Sequence, residues 1–246
     1  MVTYMESHDE ERVIYKALNY GNSNGNYNVK NLNTSLERLK SAGSILFLLP
    51  GPKMIWQFGE IGYDVSIDYN GRLGRKPIKW NYLNELNRKN IYNTWSYLIG
   101  LRKKHSIFSD PQSKIDTWLN NSIKKIQYSL GKENAILITN FDVKTLQTSV
   151  TLPSAGHWYH ATLGEKIYIE DNELNVSIPA GTFLLMTDFE IDYLPKGQAK
   201  LSVEEIIMPK SLTLHSNYPN PFNGRTSVKI DIDKDNAGYI DLDVYD

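Results

Sequence analysis

No cysteine occurs among the 246 residues, which excludes a disulfide framework, thiol catalysis and cysteine-ligated zinc but leaves the cellular compartment open. An excess of either charge is missing too. Lys and Arg total 27 against 28 Asp and Glu, for a net charge of −1, so electrostatics give no reason to expect nucleic acid or an anionic membrane as partner. The expected partner is neutral. The longest apolar run, residues 45–49, is far too short to cross a bilayer, so no membrane span is expected. The opening MVTYMESHDEER is acidic where an export signal is basic and then apolar. The chain is therefore read as carrying no export signal of its own, so that a secreted parent would have its front elsewhere. There is no internal repeat and no low-complexity tract. What remains is an ordinary globular composition, 41% hydrophobic and 22% charged, with 16 tyrosines, enough for one large domain or two to three small ones.

The first 105 residues alternate apolar runs with helical patterns, the signature of parallel strands joined by crossover helices. Residues 2–5 read as a short strand. After a loop rich in Asn and Gly, Thr34 and Glu37 are placed as a capping box, and Leu36, Leu39, Gly43 and Leu46 fall on one helical stripe. Pro50, Gly51 and Pro52 stop that helix, and residues 54–58 read as a second buried strand. In the next helix Ile91, Trp95, Leu98 and Leu101 share a face, and Arg102, Lys103, Lys104 and His105 fill the last turn, where cations complement the helix dipole. From about Ile115 the period becomes two, predicting strands at 124–130, 135–141, 146–152, 158–163, 174–178 and 183–187, as in an all-β sandwich. A linker is expected around 192–198, followed by strands at 227–232 and 239–245.

The densest polar cluster, residues 6–12, follows the first strand directly. In a parallel barrel, active sites lie at the C-terminal ends of strands. A solvated loop with Asp capping the next helix would carry the same residues. Resemblance decides between these. YMESHDEER, residues 4–12, resembles the fourth conserved region of glycoside hydrolase family 13, the α-amylase family, in which a strand ends in a His-Asp pair. PGPKMIWQFGEIG (50–62) resembles that family's eighth strand and following loop, RKPIKW (75–80) its Arg-x-Pro-Met-Gln-Trp loop, and YLIGLRKKH (97–105) its last barrel helix. AILITNF (135–141) and IPAGTFLLMTD (178–188) resemble strands of its C-terminal β-sandwich. Order and spacing agree over about 190 residues.

The resemblance implies an α/β plus all-β chain: residues 1–107 as strands seven and eight of a (β/α)8 barrel with their helices, 108–190 as the β-sandwich, and 203–246 as a partial Ig-like sorting domain. The last segment, KSLTLHSNYPNPFNGRTSVKIDI (210–232), resembles the start of the domains that carry bacterial proteins to type IX secretion machinery, which implies a secreted or cell-surface parent. The implied function is retaining hydrolysis of α-1,4-glucans such as starch, glycogen and maltooligosaccharides. Such hydrolysis needs a nucleophilic and an acid/base carboxylate about 5 Å apart. In the family these come from strands four and five, before the part matched here, so the isolated chain is expected to be inactive. To Asp9 the resemblance assigns the transition-state-stabilising carboxylate on the sugar 2-OH and 3-OH, and to His8 contact with the same hydroxyls.

Trp80, in a loop beside that face, is the tryptophan expected to touch glucan. Trp95 and Trp56 are placed in the core, and Trp118 and Trp158 are left open. Glu10, Glu11 and Arg12 are read as loop salt bridges. Two departures bear on function. Ser7 stands where most amylases have Asn, as in α-glucan branching enzymes, and Phe58 and Gly59 replace the common Gly and Glu, leaving Gln57 and Glu60 as the matching polar pair. A branching transferase, or a non-catalytic polysaccharide-binding or anchoring sandwich, are the alternatives. His157 and His160 sit three apart on a strand and so point to opposite faces, and Asp231, Asp233 and Asp235 lack the Gly and Glu of a calcium loop. No metal and no cofactor are expected in this chain; a structural calcium would belong to the parent enzyme.

Overall fold

The computed structural model describes residues 2–161 and 163–192 and, beyond them, the strands Leu212–Leu214, Tyr218–Asn223, Arg225–Ser227 and Ile230–Ile232. By its contacts the chain divides into Met1–Glu204 and Glu205–Asp246. In the first unit, helix α1 (Val13–Tyr20) leads through a small hairpin, β1 (Ser23–Asn24) and β2 (Tyr27–Asn28), to helices α2 (Leu32–Leu48) and α3 (Leu86–Lys104). Eight strands follow: β3 (Lys114–Trp118), β4 (Ile123–Leu130), β5 (Glu133–Asn140), β6 (Leu146–Thr151), β7 (Gly156–His160), β8 (Glu165–Ile169), β9 (Glu173–Ile178) and β10 (Phe183–Thr187).

Six of these form one antiparallel sheet in the order β3-β4-β5-β10-β7-β8, while β6 and β9 pair as a separate ribbon. The central strands β5 and β10 are apolar without interruption because both faces of this sheet are covered. Alternate residues go to opposite sides. Ala135, Leu137, Phe183 and Leu185, with Ile126 and Tyr128, pack on Leu36, Leu39, Ile91, Trp95 and Leu98 of the helices. Ile136, Ile138, Leu184 and Met186 pack instead with Trp158 on Val150, Leu174, Val176 and Ile178 of the ribbon. The register places Leu185 opposite Leu137 and Leu184 opposite Ile138, so each pair adds to one layer. Polar contacts tie the helices to the sheet as well: Ser41 Oγ donates to the Gly181 carbonyl at 2.6 Å, and Arg38 donates to the carbonyls of Phe141 and Asp142 at 2.8 and 2.9 Å.

The helix stripes lie where the periodicity put them, with Leu36, Leu39, Leu46, Ile91, Trp95, Leu98 and Leu101 all buried. Two local expectations are corrected. The N-cap of α2 is Asn31, whose side chain accepts from the amides of Asn33 and Thr34 at 3.0 and 3.4 Å; Thr34 lies inside the helix, because Asn31 offers the cap one turn earlier. Residues 2–5 and 54–58 do not form extended strands. Their pairing is a single parallel bridge between Thr3 and Lys53, with Thr3 N donating to the Pro52 carbonyl at 3.0 Å and Met54 N to the Thr3 carbonyl at 3.1 Å. The cationic last turn of α3, with Arg102, Lys103 and Lys104, stands where the sequence placed it, and it also serves the neighbouring helix. Arg102 donates to the carbonyls of Phe47, Leu49 and Gly51, satisfying orphan acceptors at and beyond the end of α2, and to that of Phe108.

Among the described residues no helix is long and apolar enough to cross a membrane. In the second unit β11 (Leu212–Leu214) pairs with β14 (Ile230–Ile232), and β12 (Tyr218–Asn223) with β13 (Arg225–Ser227). Of the expected strand at 227–232, Ser227 lies in β13 and residues 230–232 form β14. The β12 ladder is broken between Tyr218 and Asn223, the stretch that holds Pro219 and Pro221, which have no amide hydrogen to donate. The expected linker after Asp192, the strand at 239–245 and the turn at 233–238 lie outside the described residues.

Helices α2 and α3 meet at Gly43. A Cβ there would lie 2.0 Å from Trp95 Nε1, which donates to the Leu39 carbonyl at 3.3 Å. Helix propensity alone would reward Gly43→Ala by about 1 kcal/mol, whereas overpacking costs about 1–3 kcal/mol. We expect the clash to win and the urea midpoint to fall; an unchanged or higher midpoint would show that the contact can relax.

His160 is buried in β7, and its Nδ1 accepts from the Leu163 amide at 3.1 Å. Burial holds the ring's pKa down at about 4, below the ordinary value near 6.5. The unfolded chain therefore takes up a proton that the folded one refuses. The contribution of His160 to stability should be fully present above about pH 7 and fall by about 3 kcal/mol as pH drops from 6.5 to 4. His160→Gln should flatten that part of a pH series of unfolding midpoints, and parallel curves for the two proteins would refute the assignment.

Candidate active-site face

The polar loop between Thr3 and α1 is organised by a buried ion pair. Glu6 and Arg12 are both buried and meet at 2.6 Å. The second Glu6 oxygen accepts from the Val13 amide at 3.1 Å, so Glu6 caps α1 from outside the helix, a task the sequence reading offered to an Asp. The Arg12 guanidinium also lies over the Tyr63 ring, 4.6 Å from its centre, a cation-π contact. Burial raises the Glu6 carboxyl above its ordinary pKa against the pull of Arg12 and the Val13 amide. Glu11 accepts from Ser66 Oγ at 2.6 Å and from the amides of Ile67 and Arg12 at 3.0 and 2.8 Å. Glu10 faces Lys16 at 3.7 Å. All three charged residues read as loop salt bridges thus bind the loop.

Between these anchors His8 and Asp9 project outward, with side chains 73% and 68% exposed and His8 Nε2 3.1 Å from Asp9 Oδ2. Ser7 Oγ accepts from the Asp9 amide at 3.1 Å. Arg72, in a distant loop, donates to the Asp9 carbonyl at 2.7 Å and lies 3.9 Å from its carboxylate. The His8 ring tilts against Trp56, centroids 5.9 Å apart. Trp56 was expected in a core strand, but it is only half-buried and lies in irregular backbone just after the Thr3–Lys53 bridge.

Trp80 opens a 3-10 turn, Trp80–Asn84, and is 65% exposed. Its ring stands edge-on to Phe58 at 4.8 Å. Behind it, Tyr82 donates to Asp64 at 2.6 Å, and buried Arg88 of α3 reaches Asp64 at 3.0 Å, lies 3.7 Å over the Tyr82 ring and donates to the carbonyls of Ile61 and Gly62. Trp56, Gln57, Phe58, Glu60, Trp80 and Tyr92 are among the residues lining an open, largely aromatic cleft of about 490 Å³. The structure brings Trp56 and Trp80 to this one cleft. His8 and Asp9 are not in its wall and meet it only through Trp56. Sequence reasoning placed Glu6 in the polar cluster without giving it a role, and it missed Arg72, which reaches this loop from 63 residues further along the chain. Among the described residues no cluster of His, Asp and Glu could hold a metal, and His157 and His160 take opposite sides of β7, one exposed and one buried.

No family model and no curated protein matches the chain. Solved structures do. An AmyP variant in complex with maltotriose matches with a TM-score of 0.60 at 14% identity, covering 76% of this chain and 40% of that one. The α-amylase of Geobacillus thermoleovorans complexed with acarbose gives 0.58 at 14%, covering 76% and 38%. The maltogenic α-amylase AmyB of Thermotoga neapolitana gives 0.54 at 14%, covering 77% and 41%. The chain spans about two fifths of the length of these proteins. At such identities the likeness is one of fold: a mixed helical and antiparallel arrangement shared with part of the α-amylase structures.

Removing one member of a buried ion pair leaves the other charge uncompensated. Glu6→Ala should cost about 3–5 kcal/mol, and Glu6→Leu combined with Arg12→Met should recover most of it. Urea unfolding of the three proteins checks this; a Glu6→Ala cost below about 1 kcal/mol, the range of exposed pairs, would mean the pair is solvated.

Proposed function

We propose that this chain is the C-terminal part of a secreted α-amylase-type glycoside hydrolase, with residues 1–107 ending the catalytic barrel, 108–190 forming the following β domain and 203–246 beginning a domain that engages type IX secretion machinery. Asp9 accepts hydrogen bonds from two sugar hydroxyls and stabilises the transition state, His8 contacts the same hydroxyls, and Trp80 offers its ring to a sugar face. The observation that carries this reading is the exposed His8–Asp9 pair, held on a braced loop after the Thr3 bridge, in a chain whose fold matches amylases solved with acarbose and maltotriose. The exposure of Val2, Tyr4 and Ile55 fits a barrel fragment whose remaining strands lie elsewhere.

In this reading binding energy acts on the barrier. As the sugar ring flattens toward an oxocarbenium ion, hydrogen bonds from its hydroxyls to Asp9 tighten, which lowers the activation free energy rather than merely the Michaelis constant. The nucleophile and the acid/base come from earlier strands. The 246-residue chain should therefore turn over neither starch nor maltooligosaccharides. A longer reading frame supplying the earlier strands should do so, with Asp9→Asn lowering kcat by about 100-fold or more and KM far less. Turnover by the short chain, or indifference of the longer protein to Asp9→Asn, would sink the proposal; products containing new α-1,6 branch points would make it a transferase.

A further inference from the structure

The loop between Ser66 and Pro77 is wound around one ammonium group. Lys76 Nζ lies 2.9 Å from the Tyr69 carbonyl oxygen, 2.8 Å from that of Gly71, 3.3 Å from that of Arg72 and 2.9 Å from that of Gly74. An ammonium has three hydrogens to donate, and here four acceptors converge on it. The fourth contact is one of charge and dipole, which is how carbonyl oxygens surround a bare cation in place of its hydration shell. The backbone is shaped to aim these oxygens inward. Asn70 takes a φ of 56°, the Gly71 amide turns back to the Asp68 carbonyl at 3.0 Å and the Gly74 amide to the Gly71 carbonyl at 2.9 Å. At Gly74 a Cβ would lie 1.8 Å from the Asn70 carbonyl oxygen, so the ring of carbonyls closes only with glycine there.

We propose that these four carbonyls form a monovalent-cation site, which the chain fills with its own Lys76 ammonium. Carboxylates are absent from the four oxygens around Nζ, and neutral carbonyls alone do not suit calcium, which takes carboxylates among its ligands. The separations suit ammonium and potassium, an ion of nearly the same size. Arg72 and Arg75 on the same loop repel a free ion, and a tethered one avoids the entropy of association, which accounts for the chain supplying the cation itself. An open cavity of about 590 Å³ lined by Tyr69, Asn70, Arg75, Lys76 and Pro77 gives a free ion a route in once the side chain is removed. The same loop carries Arg72 to the Asp9 carbonyl at 2.7 Å.

In Lys76→Ala the cage is empty. Hydrogen–deuterium exchange of the 68–76 peptide should become roughly tenfold faster than in the wild-type chain, by loss of local protection. Ammonium or potassium chloride raised to a few hundred millimolar should restore slow exchange saturably, while tetramethylammonium chloride at equal ionic strength, too large for the cage, should not. Unchanged exchange in the variant, or equal effects of all the salts, would overturn the proposal. Should the variant fail to fold, acetylation of the wild-type chain decides: a caged Lys76 should react roughly tenfold slower than the exposed Lys30 and Lys132, and equal rates would refute the cage.

Discussion

The buried pair of Glu6 and Arg12 is the contact on which the candidate site depends. Neither group is placed there for stability, since desolvating two charges offsets most of their attraction, and the raised pKa of Glu6 reflects that cost. The pair fixes a path instead. One Glu6 oxygen holds Arg12, the other holds the first amide of α1, and the guanidinium rests on Tyr63. The five residues between them are thereby bound at both ends, and Glu11 ties the same loop to Ser66 and Ile67. His8 and Asp9 are exposed without being loose, the condition a binding group needs if its hydrogen bonds are to be preorganised. A second guanidinium, Arg88 over Tyr82, fixes the 58–64 segment in the same manner. Each arginine joins a helix or its entry to the loop beside it.

Beneath these loops lies the six-stranded sheet, and its double burial sets the architecture of the first unit. Because β5 and β10 present one apolar row to the helices and another to the β6–β9 ribbon, neither layer can be removed without exposing the other side of the same strands. Helices and sheet thus share one core across the change of sequence period near Ile115. The α2–α3 contact at Gly43 and the Arg102 link from α3 to the end of α2 keep the helical layer together where it carries the 58–64 and 80–84 turns.

Legibility in the sequence followed burial. The stripes of α2 and α3 and the central strands were readable because a covered face forces a period on its residues, whether 3.6 or 2. Within the six-stranded sheet, the strands that sequence reasoning passed over, β3 and β8, are the outer ones. Their burial patterns are mostly exposed or intermediate, so no alternation was imposed on them. The same cause misplaced Trp56, whose apolar neighbours suggested a core strand although only one edge of that segment is bridged. At the site, His8, Asp9 and Trp80 could be singled out only through a family motif. Arg72 and Lys76 were invisible because their partners are backbone groups or a distant loop. Arg102 stands in the last turn of α3 as expected, but its hydrogen bonds to the carbonyls of Phe47, Leu49 and Gly51 could not be read from one helix alone.

Phe58 shows how a departure from the family motif can be traced to its consequence. It has a φ of 63°, in the left-handed region where a bulky residue costs about 1–3 kcal/mol, and it stands where the α-amylase motif commonly has Gly, which would adopt that conformation freely. The strain is offset by what the ring does. It stacks on Tyr63 at 5.7 Å with planes 24° apart and meets Trp80 edge-on at 4.8 Å, contacts worth about 0.5–1.5 kcal/mol each beyond the area they bury. The ring thus forms an aromatic wall in the cleft, and that wall rests on the same Tyr63 that bears Arg12. Loop, cleft and buried ion pair are coupled through one tyrosine ring.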